Sequence, residues 1–351
     1  MKRIVTLILA LIMIFALTAC GEKEGKDSTD VTKGQSQSET GAQTKDTGVK
    51  FTQIVKGYTL DAEGRIWKFS LVENPTVFCD AAKFTFIHES NGFACAIDED
   101  GGLWTWSQSS EAQKILDGVK MATGNYADGY AIKTDGTLYQ WSNGNDPTPV
   151  EIDAKFNYVA AGGSIKGCVA IDTDGNRYIW GTNCIVLGCE AAQIDPSLAD
   201  APNGVIPSQP KLVQNDTAAK GTYYFATGTS YLIDTNGTLY ISGGKGSRLD
   251  PYETTGSFGV YTKVVDKVAM IAPTLYGTLY IDTDGNIWGW GSDAFKICAA
   301  TTKPVQITKG TKYVDVVVMD SGSTMAYAIA DDGNIYIFGE KNSTPTIVEV
   351  K

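Results

Sequence analysis

One motif recurs seven times in this sequence, and the two-residue period inside it dictates strands. The copies read YTLDAEGRIWKF, CAIDEDGGLWTW, YAIKTDGTLYQW, VAIDTDGNRYIW, YLIDTNGTLYIS, LYIDTDGNIWGW and YAIADDGNIYIF, with repeated glycines at Gly64, Gly101, Gly136, Gly175, Gly237, Gly285 and Gly333. Four residues before each glycine stands Leu60, Ile97, Ile132, Ile171, Ile233, Ile281 or Ile329. Three after it stands Trp67, Trp104, Tyr139, Tyr178, Tyr240, Trp288 or Tyr336, and five after it Phe69, Trp106, Trp141, Trp180, Ser242, Trp290 or Phe338. Asp-Gly or Asn-Gly between alternating segments reads as a two-residue type I′ hairpin turn, which needs positive φ at both central positions. Such a turn sets the Ile column opposite the first aromatic column. Ala96, Ala131, Ala170 and Ala328, five before the glycine, let a neighbouring sheet come close.

Weaker strand patterns flank each hairpin. Phe84-Thr85-Phe86-Ile87, Tyr158-Val159-Ala160 and Val314-Asp315-Val316-Val317 precede one; Pro149-Val150-Glu151-Ile152, Pro304-Val305-Gln306-Ile307 and Pro345-Thr346-Ile347-Val348 follow one. Four antiparallel strands per unit, repeated seven times, predict an all-β, seven-bladed β-propeller over 51–351. The segment Tyr280-Ile281-Asp282-Thr283-Asp284-Gly285-Asn286-Ile287-Trp288-Gly289-Trp290-Gly291 resembles the repeat of the regulator-of-chromosome-condensation family. Trp180-Gly181-Thr182-Asn183, followed by Leu187-Gly188, is similar to that family's Trp-Gly-x-Asn…Leu-Gly extension. The resemblance covers all seven repeats and implies seven blades, although most copies lack the Leu-Gly extension. Eukaryotic members of the family act as partners in protein complexes, so it also implies a binding role.

The first residues predict the compartment. Lys2 and Arg3 precede an apolar run over 4–19 that ends in Leu17-Thr18-Ala19-Cys20, the shape of a signal peptide. The ending resembles a bacterial lipobox, which implies a signal peptide over 1–19, lipid on Cys20 and membrane attachment at the outer face of the cell. Residues 21–50 contain no Ile, Leu, Phe, Trp or Tyr, so 20–50 reads as a flexible, lipidated linker. The formal charge is −11, and loss of Lys2 and Arg3 takes it to −13. Nucleic acid is therefore excluded as a partner, because phosphate binding needs clustered Lys and Arg.

Chemistry is sparse. His88 is the single histidine, lacks a nucleophile-elbow motif and reads as an inter-blade or surface residue. Arg65, Arg177 and Arg248 are the mature chain's only arginines. Arg65 and Arg177 follow hairpin turns in different blades and are expected on a rim rather than converging on a carboxylate. Asp98-Glu99-Asp100, Asp172-Thr173-Asp174 and Asp282-Thr283-Asp284 resemble the start of a calcium loop. Their glycine comes too early and no downstream glutamate follows, so each reads as a turn preceded by a solvated strand end. No metal, cofactor or catalytic residue is expected.

About 30 extra residues, from Thr182 to Gly221, interrupt the repeat after Trp180. Joining the third strand to the fourth, they should lie opposite the Asp/Asn-Gly turns, on the face that also carries the first-to-second-strand turns at 124–129 and 321–325. Cys184 and Cys189 in this loop are the candidate disulfide pair, whereas Cys95 and Cys168 read as buried strand residues. The candidate binding surface is Tyr126, Asp128, Asn183, Leu187, Tyr223 and Tyr224, with Tyr252, Phe258 and Tyr261 as further off-column aromatics. The expectation is a monomeric, non-catalytic surface lipoprotein that binds a protein or a cell-envelope or host polymer. The rival is a glycan-active hydrolase or lyase with its site in the propeller channel.

Overall fold

Every copy of the repeat folds as a hairpin, the Glu63-Gly64 copy included, but around three residues rather than two. In all seven, the glycine N–H donates to the carbonyl three residues back, at 2.9–3.1 Å, as Gly64 does to Asp61 and Gly333 to Ala330. The seven glycines have φ between 77° and 87°, while the residue before each stays out of the left-handed region. This is a type I turn closed by a glycine bulge, not the expected type I′ turn. The extra loop residue moves the register by one. Leu60 faces Ile66 and Ile97 faces Leu103, while Ala96 faces Trp104 and Ala328 faces Tyr336. The aromatic column therefore pairs with the alanine column, and the Ile column with a second aliphatic column.

The first aspartate of the repeat is also not a solvated strand end. Asp98 is 6% exposed; its Oδ1 accepts the Asp100 and Gly102 N–H groups, and its Oδ2 accepts the Trp104 indole at 2.8 Å. Asp61 and Asp282 serve Trp67 and Trp288 in the same way. Each carboxylate thus caps its turn and fixes the aromatic on the adjacent strand of the hairpin.

The computed structural model describes residues 48–350 apart from 71–73, 108, 143–144, 164–165, 201–203, 219, 227, 244–258, 275, 293–295, 320–324 and 340–341. The signal segment, Cys20 and most of the linker lie outside the described residues, as do Tyr252 and Phe258. Seven separate four-stranded antiparallel sheets follow one another along the chain, each in sequential strand order. Their first strands are Phe51–Val55, Phe84–Ser90, Val119–Asn125, Phe156–Gly162, Gly221–Ala226, Val268–Pro273 and Tyr313–Val318. Each of these touches the next, and the seventh touches the first, so they form a ring about a central channel.

No blade borrows a strand from the other end of the chain. The ring closes through the joint that the other blades use. The first residue of a blade donates its N–H to the turn-glycine carbonyl of the blade before: Phe84 to Gly64, Val119 to Gly101, Phe156 to Gly136, Val268 to Gly237 and Tyr313 to Gly285, at 2.7–2.8 Å. Phe51 makes the same bond to Gly333 at 2.8 Å and so welds blade 7 to blade 1. Beside it Asp315 accepts the Ile54 N–H at 2.8 Å, and Phe69 packs edge-on against Tyr327. Between blades the aromatic five residues after the glycine enters a slot left by a small residue on its own second strand, as Trp141 does opposite Gly129 and Trp106 opposite Ala94. A Cβ on Gly129 would lie 2.2 Å from the Trp141 ring.

Candidate functional site

The joint between blades 4 and 5 departs from the other six. Here the cross-strand pair is Ser230 and Ser242, with no aromatic. Among the described residues the glycine-carbonyl bond is also missing at this joint. The insertion after Trp180 takes the aromatic's place. Ser230 donates to the Val186 carbonyl and Ser242 to the Ile185 carbonyl. Cys184, Leu187 and Cys189, each 0% exposed, join Val169, Ile179, Tyr223 and Leu232 in one apolar cluster. The insertion continues through a helical turn over Ala191–Ile194 and a 3-10 turn over Pro196–Leu198 before the short fourth strand, Lys211–Leu212.

Arg177 anchors this wedge. It occupies the aliphatic column that Ile66, Leu103, Leu138, Leu239, Ile287 and Ile335 fill in the other blades, and it is 2% exposed. Its Nε and Nη2 reach both oxygens of Asp216 at 2.7 Å, and its other donors satisfy the Leu187 and Gly188 carbonyls. The expected place on a rim is therefore corrected for Arg177, because the insertion folds over it. Arg65 does sit at a turn, paired with Asp61 and Glu63, and Arg248 lies outside the described residues. A cavity of about 340 Å³ borders the ion pair, lined in part by Asn176, Gln214 and Lys220.

On the opposite end of the blades, three neighbouring first-to-second-strand turns each place a residue other than glycine in the left-handed region. These are Asn91 (φ 50°), Tyr126 (φ 56°) and Lys166 (φ 55°), in blades 2, 3 and 4. A bulky residue there costs energy and persists only where the surroundings enforce it. Asn125 supplies the enforcement. Only 3% exposed, its Oδ1 accepts from Ser90 and from Asn91, and its Nδ2 donates to the Gly163 carbonyl, so one side chain joins three blades. Tyr126 stands out of this platform at 40% exposure, with the Lys166 ammonium 5.8 Å from its ring centroid. The insertion leaves the same face: the Gly181 N–H bonds the Pro207 carbonyl, next to Ile206, which is 68% exposed. A rigid aromatic, a cation and an apolar side chain thus share one face.

The sequence-derived surface is only partly assembled there. Tyr126 and Asp128 lie on that face, Asp128 accepting from Ser142 at 2.8 Å. Asn183 is at the root of the insertion, where its Oδ1 accepts the Ile185 N–H. Leu187 and Tyr223 are in the core, at 0% and 4% exposure, because the wedge needs them to fill the joint. Tyr224 is half-buried on blade 5's first strand, and its phenol is pushed up by burial and then by Asp315. Tyr261 packs under the wedge, sharing a hydrogen bond with Ser230. Lys166 and Ile206 were missed because neither breaks a repeat column. Cys184 and Cys189 are both thiols in the structure, as are Cys79, Cys95, Cys168 and Cys298.

His88 lies between blades, its Nε2 at 3.0 Å from the Gly124 carbonyl, and burial lowers its pKa. Asp315 is pushed up to about 7, by burial working against the Ile54 and Val316 N–H groups, and burial also raises Glu89. Among the described residues no group of three His, Cys, Asp or Glu side chains could hold a metal ion, and no helix is long and apolar enough to cross a membrane.

Seven independent four-stranded sheets in a closed ring define a seven-bladed β-propeller. Its architecture is the RCC1-like one. The yeast protein Prp20p from Saccharomyces cerevisiae superposes with a TM-score of 0.59 over 88% of this chain and 89% of its own, at 15% identity. The structure of Kap60 bound to yeast RCC1 (Prp20) gives 0.57 over 80% and 77%, at 16% identity. Human WBSCR16 gives 0.56 over 78% and 84%, at 12% identity. No family model matches the sequence, and no curated protein does.

Proposed function

We propose that this chain is a lipid-anchored, extracellular and non-catalytic interaction module, and that it engages a protein partner through the first-to-second-strand turn face of blades 2–4. The observation that carries the reading is the Asn125-centred platform, which holds Tyr126 in a costly left-handed conformation at the surface. Strain concentrated at an exposed aromatic fits recognition better than packing. Ile206, exposed on the same face, favours a protein surface over a sugar. The chain enters blade 1 at Lys50 and Phe51, on the Asp/Asn-Gly side, since Phe51 bonds the turn glycine Gly333. Prp20p is described as binding Gsp1p and histones, which supports an interaction role for this architecture.

The test uses full-length protein in its native envelope. Proteins recovered with the wild type are compared with those recovered by Tyr126→Ala, Lys166→Glu and, on the opposite face, Lys83→Ala. The reading expects one partner lost with the first two variants and kept with the third. A partner kept by both Tyr126→Ala and Lys166→Glu, or binding only to glycans on an array, overturns it. For the anchor, Cys20→Ala should move the protein from the detergent phase to the aqueous phase; unchanged partitioning refutes lipidation there.

A further inference from the structure

We propose that Cys184 and Cys189 are the site of a reversible disulfide that locks the blade 4 insertion into the joint between blades 4 and 5. The two residues are held together by the backbone. The Leu187 and Cys189 N–H groups both donate to the Cys184 carbonyl, at 3.0 and 3.2 Å. The Cys189 thiol lies 3.5 Å from that same carbonyl oxygen. A turn closed in this way brings the Cα atoms into the span a disulfide bridges, roughly 4.4–6.8 Å. Cys184 Sγ accepts the Val205 N–H at 3.4 Å. Cys95 and Cys168, by contrast, are single residues on the second strands of blades 2 and 4.

The location gives the cross-link something to do. Among the described residues this joint has neither device that holds the other six, the aromatic or the glycine-carbonyl bond, and a long insertion is wedged in their place. A link across its innermost turn removes conformations of the undocked loop and leaves the docked one intact. The six-residue ring is short, so the effect is a local one on the insertion.

The chemistry is thiol–disulfide exchange with a disulfide oxidant, either a small-molecule disulfide or an oxidoreductase. The Cys184 thiolate attacks one oxidant sulfur and expels the other as a thiolate. The Cys189 thiolate, its proton lost to solvent, then attacks Cys184 Sγ and expels the second. Two protein thiols and one disulfide become one protein disulfide and two thiols. The neighbouring Cys189 thiol and the Val205 N–H hold Cys184 down to about 6, which suits it to the first attack. Both sulfurs are fully buried, so exchange takes place before the insertion docks or when it opens.

This inference is independent of the proposed partner face. Full-length protein is equilibrated in glutathione buffers of graded ratio, quenched in acid, unfolded, alkylated and mapped by peptide mass spectrometry. In oxidising buffer the 184–189 peptide should become two hydrogens lighter and unalkylated, while Cys95 and Cys168 remain alkylated. Amide exchange over 181–210 should slow on oxidation and recover on reduction, and Cys184→Ser and Cys189→Ser should each abolish that difference while exchanging like the reduced wild type. Full alkylation of both residues in oxidising buffer overturns the proposal. So does a cross-link that leaves exchange over 181–210 unchanged.

Discussion

Replacing Arg177 by leucine asks directly what holds the insertion. Leucine is the residue type that fills this column in blades 2, 3 and 5, so the backbone and the apolar packing of the strand are preserved. What disappears is a guanidinium that is 2% exposed, its two 2.7 Å bonds to Asp216 and its bonds to the Leu187 and Gly188 carbonyls. Removing one partner of a buried ion pair costs about 3–5 kcal/mol, because the other charge stays uncompensated. The Asp216 side chain is 20% exposed and regains some water, which places the expected loss near the lower end, about 3 kcal/mol. At about 2 °C per kcal/mol for a chain of this size, the melting midpoint falls by about 6 °C. Lys263→Ala is the control: its side chain and that of its partner Asp266 are both 57% exposed, so the loss stays below about 1 kcal/mol. Near-ultraviolet circular dichroism gives the midpoints, and amide exchange over 181–210 shows whether the wedge loosens first. An Arg177→Leu protein that melts with the wild type and keeps 181–210 protected would refute the anchoring role.

Three further outcomes follow from the same geometry. Gly136→Val should cost about 3 kcal/mol, since φ is +85° and a Cβ there meets Lys155 Cβ at 3.0 Å; a melt equal to wild type contradicts the bulged turn. In Asp315→Asn the pH profile should change. Burial raises the folded pKa to about 7, so the folded wild type binds the proton more tightly, is stabilised at acid pH and loses that stability as pH rises from about 4 through 7. The asparagine variant should flatten this slope and exceed the wild type at pH 8, and parallel urea-unfolding profiles would reject the assignment. For Asp98 burial acts upward, but the Trp104 indole, the Gly102 N–H and Lys114 outweigh it and hold the carboxyl below its usual value. Its contribution is present above about 3.9 and lost as pH falls through the folded value, so Trp104→Phe should reduce stability at neutral pH by about 1.5 kcal/mol and weaken the acid dependence.

Much of the architecture was legible in the residues. Seven glycines with apolar columns at fixed offsets leave little alternative to seven hairpins, and flanking strand patterns supply the rest of each blade. Turn type was not legible from Asp-Gly alone, because both a type I′ turn and a bulged type I turn place glycine in the left-handed region. The deciding signal lay three residues before the glycine, where Asp61, Asp98, Asp172, Asp234 and Asp282 cap the turn with a side chain. Two column breaks, Arg177 and Ser242, were visible and mark one structural feature; only the folded insertion shows that they belong together. The burial of Leu187 and Tyr223 was hidden for the same reason, since it depends on where a non-repeating loop docks. A lysine precedes the first strand of six blades, at Lys50, Lys83, Lys155, Lys220, Lys267 and Lys312, and its stem lies against the preceding turn in several of them. That column could have been read from the sequence as the mark of each joint.

The two ends of the ring are joined as its neighbouring blades are joined. Residue-resolved hydrogen exchange at the Phe51 amide, compared with the amides of Phe84, Val119, Phe156, Val268 and Tyr313, measures this directly. Bonded to Gly333, Phe51 should exchange as slowly as those five. Exchange at the rate of an unprotected chain terminus, with the other five protected, would show an open ring and contradict the structure described.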